Sequence, residues 1–109
     1  MNFEKYQKQA EKTSIFPKDG HAYVYATLGL SGETGEVAEK VKKIIVNKNG
    51  VISGESREEI KKELGDVFWY LSQLATELGL SLEEIAEENI KKINDRMERD
   101  VLKGDGDNR

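Results

Sequence analysis

A five-residue acidic pattern occurs twice in this chain. The sequence ETGEV at residues 33–37 returns as ELGDV at residues 63–67. The match extends to apolar positions, which correspond in pairs: Leu30 with Ile60, Val41 with Leu71, and Ile44 with Leu74. Apolar residues spaced by three and four positions are typical of an amphipathic helix, whereas a half-buried strand would alternate. The repeat therefore predicts two helices that pack against each other through equivalent apolar stripes.

Capping residues and turn signals divide the whole chain into four predicted helices. The helices cover residues 2–13 and 22–46, then run from the N-cap Ser56 to about residue 78 and from the N-cap Ser81 to about residue 102. Each serine opens a capping box, because a glutamate follows it three positions later. We expect an all-α fold of the four-helix-bundle type, in one domain spanning residues 1–109. Residues 1–20 form an N-terminal helix and loop, and residues 103–109 are expected to fray.

Composition excludes several classes of protein. The chain has 109 residues and a net charge of -4, which argues against binding of a nucleic-acid polymer. It has no cysteine, so disulfides and thiolate metal sites are excluded. No apolar run reaches membrane-spanning length and the N-terminus lacks a signal-peptide core, so we expect a cytoplasmic protein without membrane contact. A helical chain of this size often gains stability by forming oligomers.

The acidic residues of the repeat border the apolar stripes. At about 100° per residue, Glu33 and Glu63 lie beside their stripes, and Glu36 and Asp66 lie about 60° further away. If the two helices pack by these stripes, four carboxylates converge and repel one another. A hard divalent cation relieves that repulsion, and oxygen ligands favour Mg²⁺ or Mn²⁺. The alternative is that these acids are ordinary solvated helix surface, although the duplicated pattern favours a metal site.

A second polar stripe lies on the last predicted helix. Asn89, Lys92 and Arg96 project to one side of it, and two cations beside an amide suit phosphate oxygens. Taken alone, the pattern favours ordinary surface pairing of these cations with Glu88 or Asp100. Lys40 lies on the carboxylate side of the second helix, where it either reaches a phosphate or pairs with Glu36 at i+4.

Two further residues are candidates for nucleotide contacts. His21, the single histidine, either contacts a base, carries a proton or lies at a helix start without a functional role. Trp69 lies away from the main apolar stripe, which favours a second buried surface such as a subunit interface over base stacking.

Three segments together resemble a known family. They are GLSGETGEVAEKVKK at residues 29–43, KKELGDVFWYL at residues 61–71 and ENIKKINDR at residues 88–96. In this order they are similar to the MazG-like branch of the all-α nucleoside triphosphate pyrophosphohydrolases, and the resemblance covers residues 22–97. Its central motif is Glu-x-x-Glu, a spacer, then Glu-x-x-Asp.

The resemblance implies a function and a site. It implies Mg²⁺-dependent cleavage of a nucleoside triphosphate to a monophosphate and pyrophosphate by water attack at the α-phosphorus, in a homodimer or homotetramer. The implied metal ligands are Glu33, Glu36, Glu63 and Asp66, and a carboxylate of the Glu33–Glu36 pair would orient or deprotonate the water. The implied phosphate or sugar contacts are Asn89, Lys92 and Arg96.

Three alternatives compete with this interpretation. A ferritin-like di-iron protein requires Glu-x-x-His on two helices, and this chain has one histidine in the wrong place. Phosphoribosyl-ATP is an alternative substrate that the spacing does not separate from a free triphosphate. A non-catalytic helical interaction module remains the other alternative, although it does not explain why the repeat copies glutamate and glycine positions.

Overall fold

Four α-helices joined by short loops make up the chain, in a computed structural model that describes residues 1–109. The helices are Phe3–Lys12 (α1), Ala22–Lys48 (α2), Gly54–Glu77 (α3) and Leu82–Glu98 (α4). No residue lies in a strand, so the predicted all-α fold class is confirmed. None of the four helices combines the length and apolar character needed to cross a membrane.

The ends of α3 and α4 follow from capping, with one correction. Ser81 caps α4 as predicted, because its hydroxyl accepts a hydrogen bond from the Glu84 N–H at 3.2 Å. The predicted N-cap of α3, Ser56, was wrong. The helix begins three residues earlier, because the hydroxyl of Ser53 accepts from the Ser56 N–H at 3.0 Å. The Ser56 hydroxyl is buried and instead accepts from the Lys48 ammonium at 2.8 Å.

The C-terminal end of α4 also differs from the prediction. The helix ends at Glu98 rather than near residue 102, because Asp100 adopts a left-handed φ of 57°. The Val101 N–H then donates to the Arg96 carbonyl at 2.9 Å, which closes the helix end. The remaining residues turn back along α4, and the Arg109 guanidinium donates to the carbonyl of Val101 at 3.0 Å. Fraying of residues 103–109 concerns their motion and stays a prediction.

α2 and α3 form a long antiparallel hairpin joined by residues 49–53. The ring of Tyr70 lies directly against Gly29, and the Lys40 ammonium lies 3.9 Å from a carboxylate oxygen of Glu59. In both pairs the two residue numbers add to 99, so the register is the same at two places about 16 Å apart along α2. A constant register means that each residue of α2 lies level with a defined residue of α3, and it places Glu33 of the first repeat copy level with Asp66 of the second.

A small core lies where the α1–α2 loop covers the hairpin. Phe16, Ala22 and Ala26 are buried there, and the half-buried side chains of α3 pack against them: Trp69, Tyr70 and Leu74. α1 is fastened to this region by Gln73, which is fully buried and donates from Nε2 to the Ala10 carbonyl at 2.7 Å. The N-terminal segment thus closes one end of the hairpin.

α4 leaves the hairpin instead of closing a bundle within the chain. It contacts α1 and α3 but not α2. Its start is held by Gln7, whose side chain accepts from the Leu82 N–H at 2.9 Å and donates to the Leu80 carbonyl at 2.8 Å. The radius of gyration is 16.9 Å, whereas a compact domain of this length would have about 13 Å. The predicted apolar stripes are accordingly only partly covered, and Val41 remains 44% exposed.

Candidate functional site: a carboxylate cluster on the helix hairpin

Three carboxylates of the duplicated pattern meet in the structure. Oxygens of Glu33, Glu63 and Asp66 all lie within 4.8 Å of one another. The register of the hairpin explains this, because the numbers of Glu33 and Asp66 also add to 99, and Glu63 lies one turn before Asp66. The glutamates are half-buried and Asp66 is exposed. The cluster is therefore open to solvent on one side and backed by the two helices on the other.

The charge of this cluster is not balanced by the protein. Partial burial raises the pKa of Glu33, and the negative charges of Asp66, Glu63 and Glu36 raise it further. A hydrogen bond with the Glu63 carboxyl group acts in the same direction, since it favours a shared proton. No lysine or arginine forms an ion pair with any of these four carboxylates. The cluster consequently favours a proton or a metal cation.

Glu36 lies at the edge of the cluster. It is exposed and does not join the three carboxylates that lie within 4.8 Å of one another. It is still close enough for its charge to raise the pKa of Glu33. Three of the four predicted ligands thus converge directly, and the role of all four as metal ligands stays a prediction.

The donor set suits a hard divalent cation. Three carboxylates supply only oxygen ligands, and the open side of the set would leave room for water or other oxygen ligands on a bound cation. Mg²⁺ commonly binds through a few carboxylates and keeps several waters or phosphate oxygens. The residues present therefore fit the predicted Mg²⁺, with Mn²⁺ as a cation of similar preference.

The cations of α4 face a different partner. The Lys92 ammonium lies 3.1 Å from Oδ1 of Asp107, and the Arg96 guanidinium donates to the same oxygen at 3.2 Å. Arg96 also donates to the Asp107 carbonyl at 2.8 Å and is buried. The two cations hold the pKa of Asp107 below its usual range. Asn89, one turn before Lys92, is exposed.

Within one chain these two groups do not pair with each other. α4 contacts α3 but not α2, and both Lys92 and Arg96 pair with Asp107 and not with a carboxylate of the cluster. The carboxylate cluster and the α4 cations are therefore separate regions of one chain.

A comparison with known protein families shows to which family the chain belongs. Residues 24–100 match the model of the MazG nucleotide pyrophosphohydrolase domain. The chain belongs to this family. The match includes all four acidic residues of the repeat and the three polar residues of α4, and it leaves out α1 and residues 101–109.

A phage protein is similar to this chain along the full length of both. The Gene 37 protein of Mycobacterium phage L5 is 44% identical over 114 residues, which cover 100% of both chains. Its name states no activity. No solved structure matches the chain significantly.

The remaining predicted contact residues lie outside the MazG carboxylate cluster. Lys40 pairs with Glu59 across the hairpin and not with Glu36. His21 precedes α2 and is exposed, about 18 Å along the helix from Glu33. The structure does not bring either residue into the cluster.

Trp69 belongs to the intramolecular core. Its ring packs edge-on against Phe16 and Tyr70, and its Nε1 donates to the Thr13 hydroxyl at 2.9 Å. A second buried surface at Trp69 was predicted, and the α1–α2 loop of the same chain provides one. Base stacking on this indole stays a prediction.

Sequence reasoning missed two features of the structure. The repeated glycines, Gly35 and Gly65, are not points of close approach, because no other side chain or helix lies within 4 Å of a Cβ built on either. The close approach occurs at Gly29, against Tyr70. The contact of Asp107 with the α4 cations was also missed, because nothing periodic marks an acid in a terminal segment.

Proposed function

We propose that this MazG-family chain is a Mg²⁺-dependent nucleoside triphosphate pyrophosphohydrolase that releases a ribo- or deoxyribonucleoside monophosphate and pyrophosphate. The observation that carries the proposal is the convergence of Glu33, Glu63 and Asp66 without any cationic partner. In a member of a pyrophosphohydrolase family, a group of carboxylates without counter-ions is suited to hold the cation that accompanies a triphosphate. Such a substrate also fits a cytoplasmic location, which forms part of the proposal.

In this proposal the carboxylates of Glu33, Glu63, Asp66 and Glu36 hold Mg²⁺ or Mn²⁺. When bound, the cation would neutralise phosphate charge and lower the pKa of a coordinated water. Glu63 and Asp66 lie one turn apart on α3, so that helix presents both to the same side. Glu33 supplies the opposing carboxylate from α2.

Water is the attacking group. Its oxygen forms a bond to the α-phosphorus while the bond from that phosphorus to the α–β bridging oxygen breaks, and pyrophosphate leaves with the bridging oxygen. The proton of the water passes to a carboxylate of the Glu33–Glu36 pair. Glu33 faces the other two carboxylates from α2, and the exposed Glu36 on the same helix is free to orient the water.

The polar stripe of α4 binds the phosphate chain or sugar. A carboxylate oxygen of Asp107 sits between Lys92 and Arg96, 3.1 Å and 3.2 Å from their nitrogens. A phosphate oxygen has the same charge and hydrogen-bonding needs, so the Asp107 contact supports an anion site here. Substrate would displace Asp107, with Asn89 adding an amide contact. Lys40, His21 and Trp69 are weaker candidates for further substrate contacts.

Assembly into a homodimer or homotetramer completes the proposal. Only 11 of 109 residues are buried in one chain, and apolar side chains remain exposed on α2 and on α4: Leu28, Val41, Ile45, Ile90, Ile93 and Met97. An open chain with uncovered apolar stripes favours association with further copies. In such an assembly the α4 cations of a second copy are available to the carboxylate cluster of the first.

The test is a substrate panel. Purified protein is incubated with ribo- and deoxyribonucleoside triphosphates and with phosphoribosyl-ATP, each with Mg²⁺ or with EDTA, and the products are separated by chromatography. Monophosphate and pyrophosphate that disappear in EDTA support the proposal. Turnover of phosphoribosyl-ATP alone would change the substrate and keep the chemistry. No turnover of any compound would favour a non-catalytic helical module.

A further inference from the structure

Gly29 is the glycine within the helices at which a side chain of this chain lies against the backbone. A Cβ atom built on Gly29 would lie 2.1 Å from Cε1 of Tyr70 and 2.4 Å from its Cδ1. At the other helix glycines of the two repeat segments nothing lies within 4 Å: Gly32, Gly35 and Gly65. The Tyr70 ring therefore occupies the space that a side chain would fill, and its thickness sets how closely α2 and α3 approach here.

This contact lies one helical turn from the carboxylate cluster. Gly29 precedes Glu33 by four residues, and Asp66 precedes Tyr70 by four. Residues four apart lie above one another on the same face of a helix, so the two pairs form adjacent layers of the hairpin. A change in helix separation at the first layer is transmitted over about 6 Å to the second.

The Tyr70 ring cannot simply swing away. It is stacked parallel to Phe16 with centroids 6.3 Å apart, and Trp69 meets it edge-on at 5.0 Å. The indole is itself held by its hydrogen bond to Thr13. Because the ring is enclosed on these sides, a methyl group at position 29 must be accommodated by movement of α2 relative to α3.

We propose that the Tyr70 ring, seated on Gly29, is the positioning element of the carboxylate cluster. It sets the distance and register at which Glu33 of α2 meets Glu63 and Asp66 of α3, and so sets the affinity for a divalent cation. The inference rests on the proposed metal site. Tyr70 acts through the helices and not by touching the substrate.

The experiment compares Mn²⁺ binding, measured by calorimetry, among full-length variants whose helix content is checked by circular dichroism. Gly29→Ala should weaken Mn²⁺ binding by about tenfold or more, as supporting residues of metal sites commonly do. Gly32→Ala is the matched control, since it adds the same methyl to the same helix in open space. Tyr70→Phe keeps the ring and should bind like wild type. Gly29→Ala combined with Tyr70→Leu should regain affinity, because the smaller side chain makes room for the methyl.

Equal Mn²⁺ affinity in Gly29→Ala and Gly32→Ala would overturn the inference while leaving the metal site intact. If wild type itself bound no Mn²⁺, the proposed metal site would fail and the inference with it. Should Gly29→Ala not fold, Tyr70→Ala carries the test, because it removes the spacer without a clash. Its Mn²⁺ affinity should fall, and affinity equal to that of Tyr70→Phe would contradict the proposal.

Discussion

The carboxylate cluster of the hairpin has no counter-ion within the chain, whereas the cation pair of α4 has one. Glu33, Glu63 and Asp66 are held together without a counter-ion, so the α2–α3 side is prepared for a cation from outside. Lys92 and Arg96 already share a carboxylate, that of Asp107, so the α4 side is neutralised from within the chain. The first region can therefore bind a cation directly, whereas the second can bind an anion only if Asp107 is displaced.

The two regions also differ in what holds them in place. The acids lie on two helices whose register is fixed by contacts on both sides of the cluster, at Gly29–Tyr70 and at Lys40–Glu59. The cations lie on a helix that does not touch α2. The acidic half of the proposed site is therefore assembled within one chain, and the basic half depends on how α4 meets the hairpin of its own or another copy.

Removal of one acid should produce the largest effect. Asp66→Asn is expected to lower kcat/KM at least about 100-fold, because it removes a metal ligand outright. In EDTA the variant should melt no lower than wild type, since one repulsive charge is gone. The matched control is Glu58→Gln on the same helix, whose carboxylate pairs only with Lys61 at the surface. Equal activity of both variants would remove Asp66 from the site.

Removal of one cation should act on substrate binding and not on the metal. Arg96→Ala is expected to raise KM for a triphosphate by about tenfold to 100-fold, the usual value of a charge-assisted hydrogen bond. Mn²⁺ affinity should not change, since Arg96 pairs with Asp107 and not with a carboxylate of the cluster. Arg99→Ala is the control, because that arginine lies on the same helix and pairs with Asp95. A fall in Mn²⁺ affinity in Arg96→Ala would mean that the two regions are not separate.

Much of the acidic half was predictable because local rules produce it. The duplicated pattern predicted two helices, and the helical phase of Glu33 and Glu63 beside apolar stripes predicted that the acids would meet. Of the two predicted serine caps, Ser81 does begin α4, whereas α3 is capped by Ser53 and not by Ser56. Helix periodicity and capping depend on neighbours within four residues, so a single sequence contains them.

The basic half was less predictable because tertiary contacts decide it. The sequence placed Lys92 and Arg96 on one stripe, but their partner Asp107 comes from a segment that was expected to fray. The contact of the Tyr70 ring with Gly29 depends on the register between two helices, which helix periodicity and capping do not predict. Gly35 and Gly65 belong to the five-residue repeat, but the close contact with Tyr70 is made by Gly29, which lies outside that repeat.

A pH series should show that the acidic cluster alone carries unbalanced charge. Between the ordinary value of 4.5 and its raised pKa, Glu33 binds a proton in the folded state more readily than in the unfolded state. Without metal, stability should therefore fall as pH rises through this window. Mg²⁺ replaces the proton, so the rise in Tm that it produces should grow with pH by a few degrees. Melting curves of wild type and Glu33→Gln, with Mg²⁺ or EDTA, test this. The same growth with pH in Glu33→Gln would assign the effect to another group.

The smallest effect is expected from removing the charge of Asp107, the acid that pairs with Lys92 and Arg96 of α4. Asp107→Asn should lower KM for a triphosphate by at most about fivefold with kcat unchanged, because exposed ion pairs are weak. Its effect should not be reproduced by mild acid, since Lys92 and Arg96 keep the pKa of Asp107 low and the carboxylate stays ionised.

Asp105→Asn is the control, as that residue lies two positions away in the same segment and makes no ion pair. A lower KM in Asp107→Asn alone would show that Asp107 occupies the place of a substrate oxygen. An unchanged or higher KM would show that its contact with Arg96 only fastens the end of the chain to α4, and the contrast between the two regions would then reduce to the acidic cluster alone.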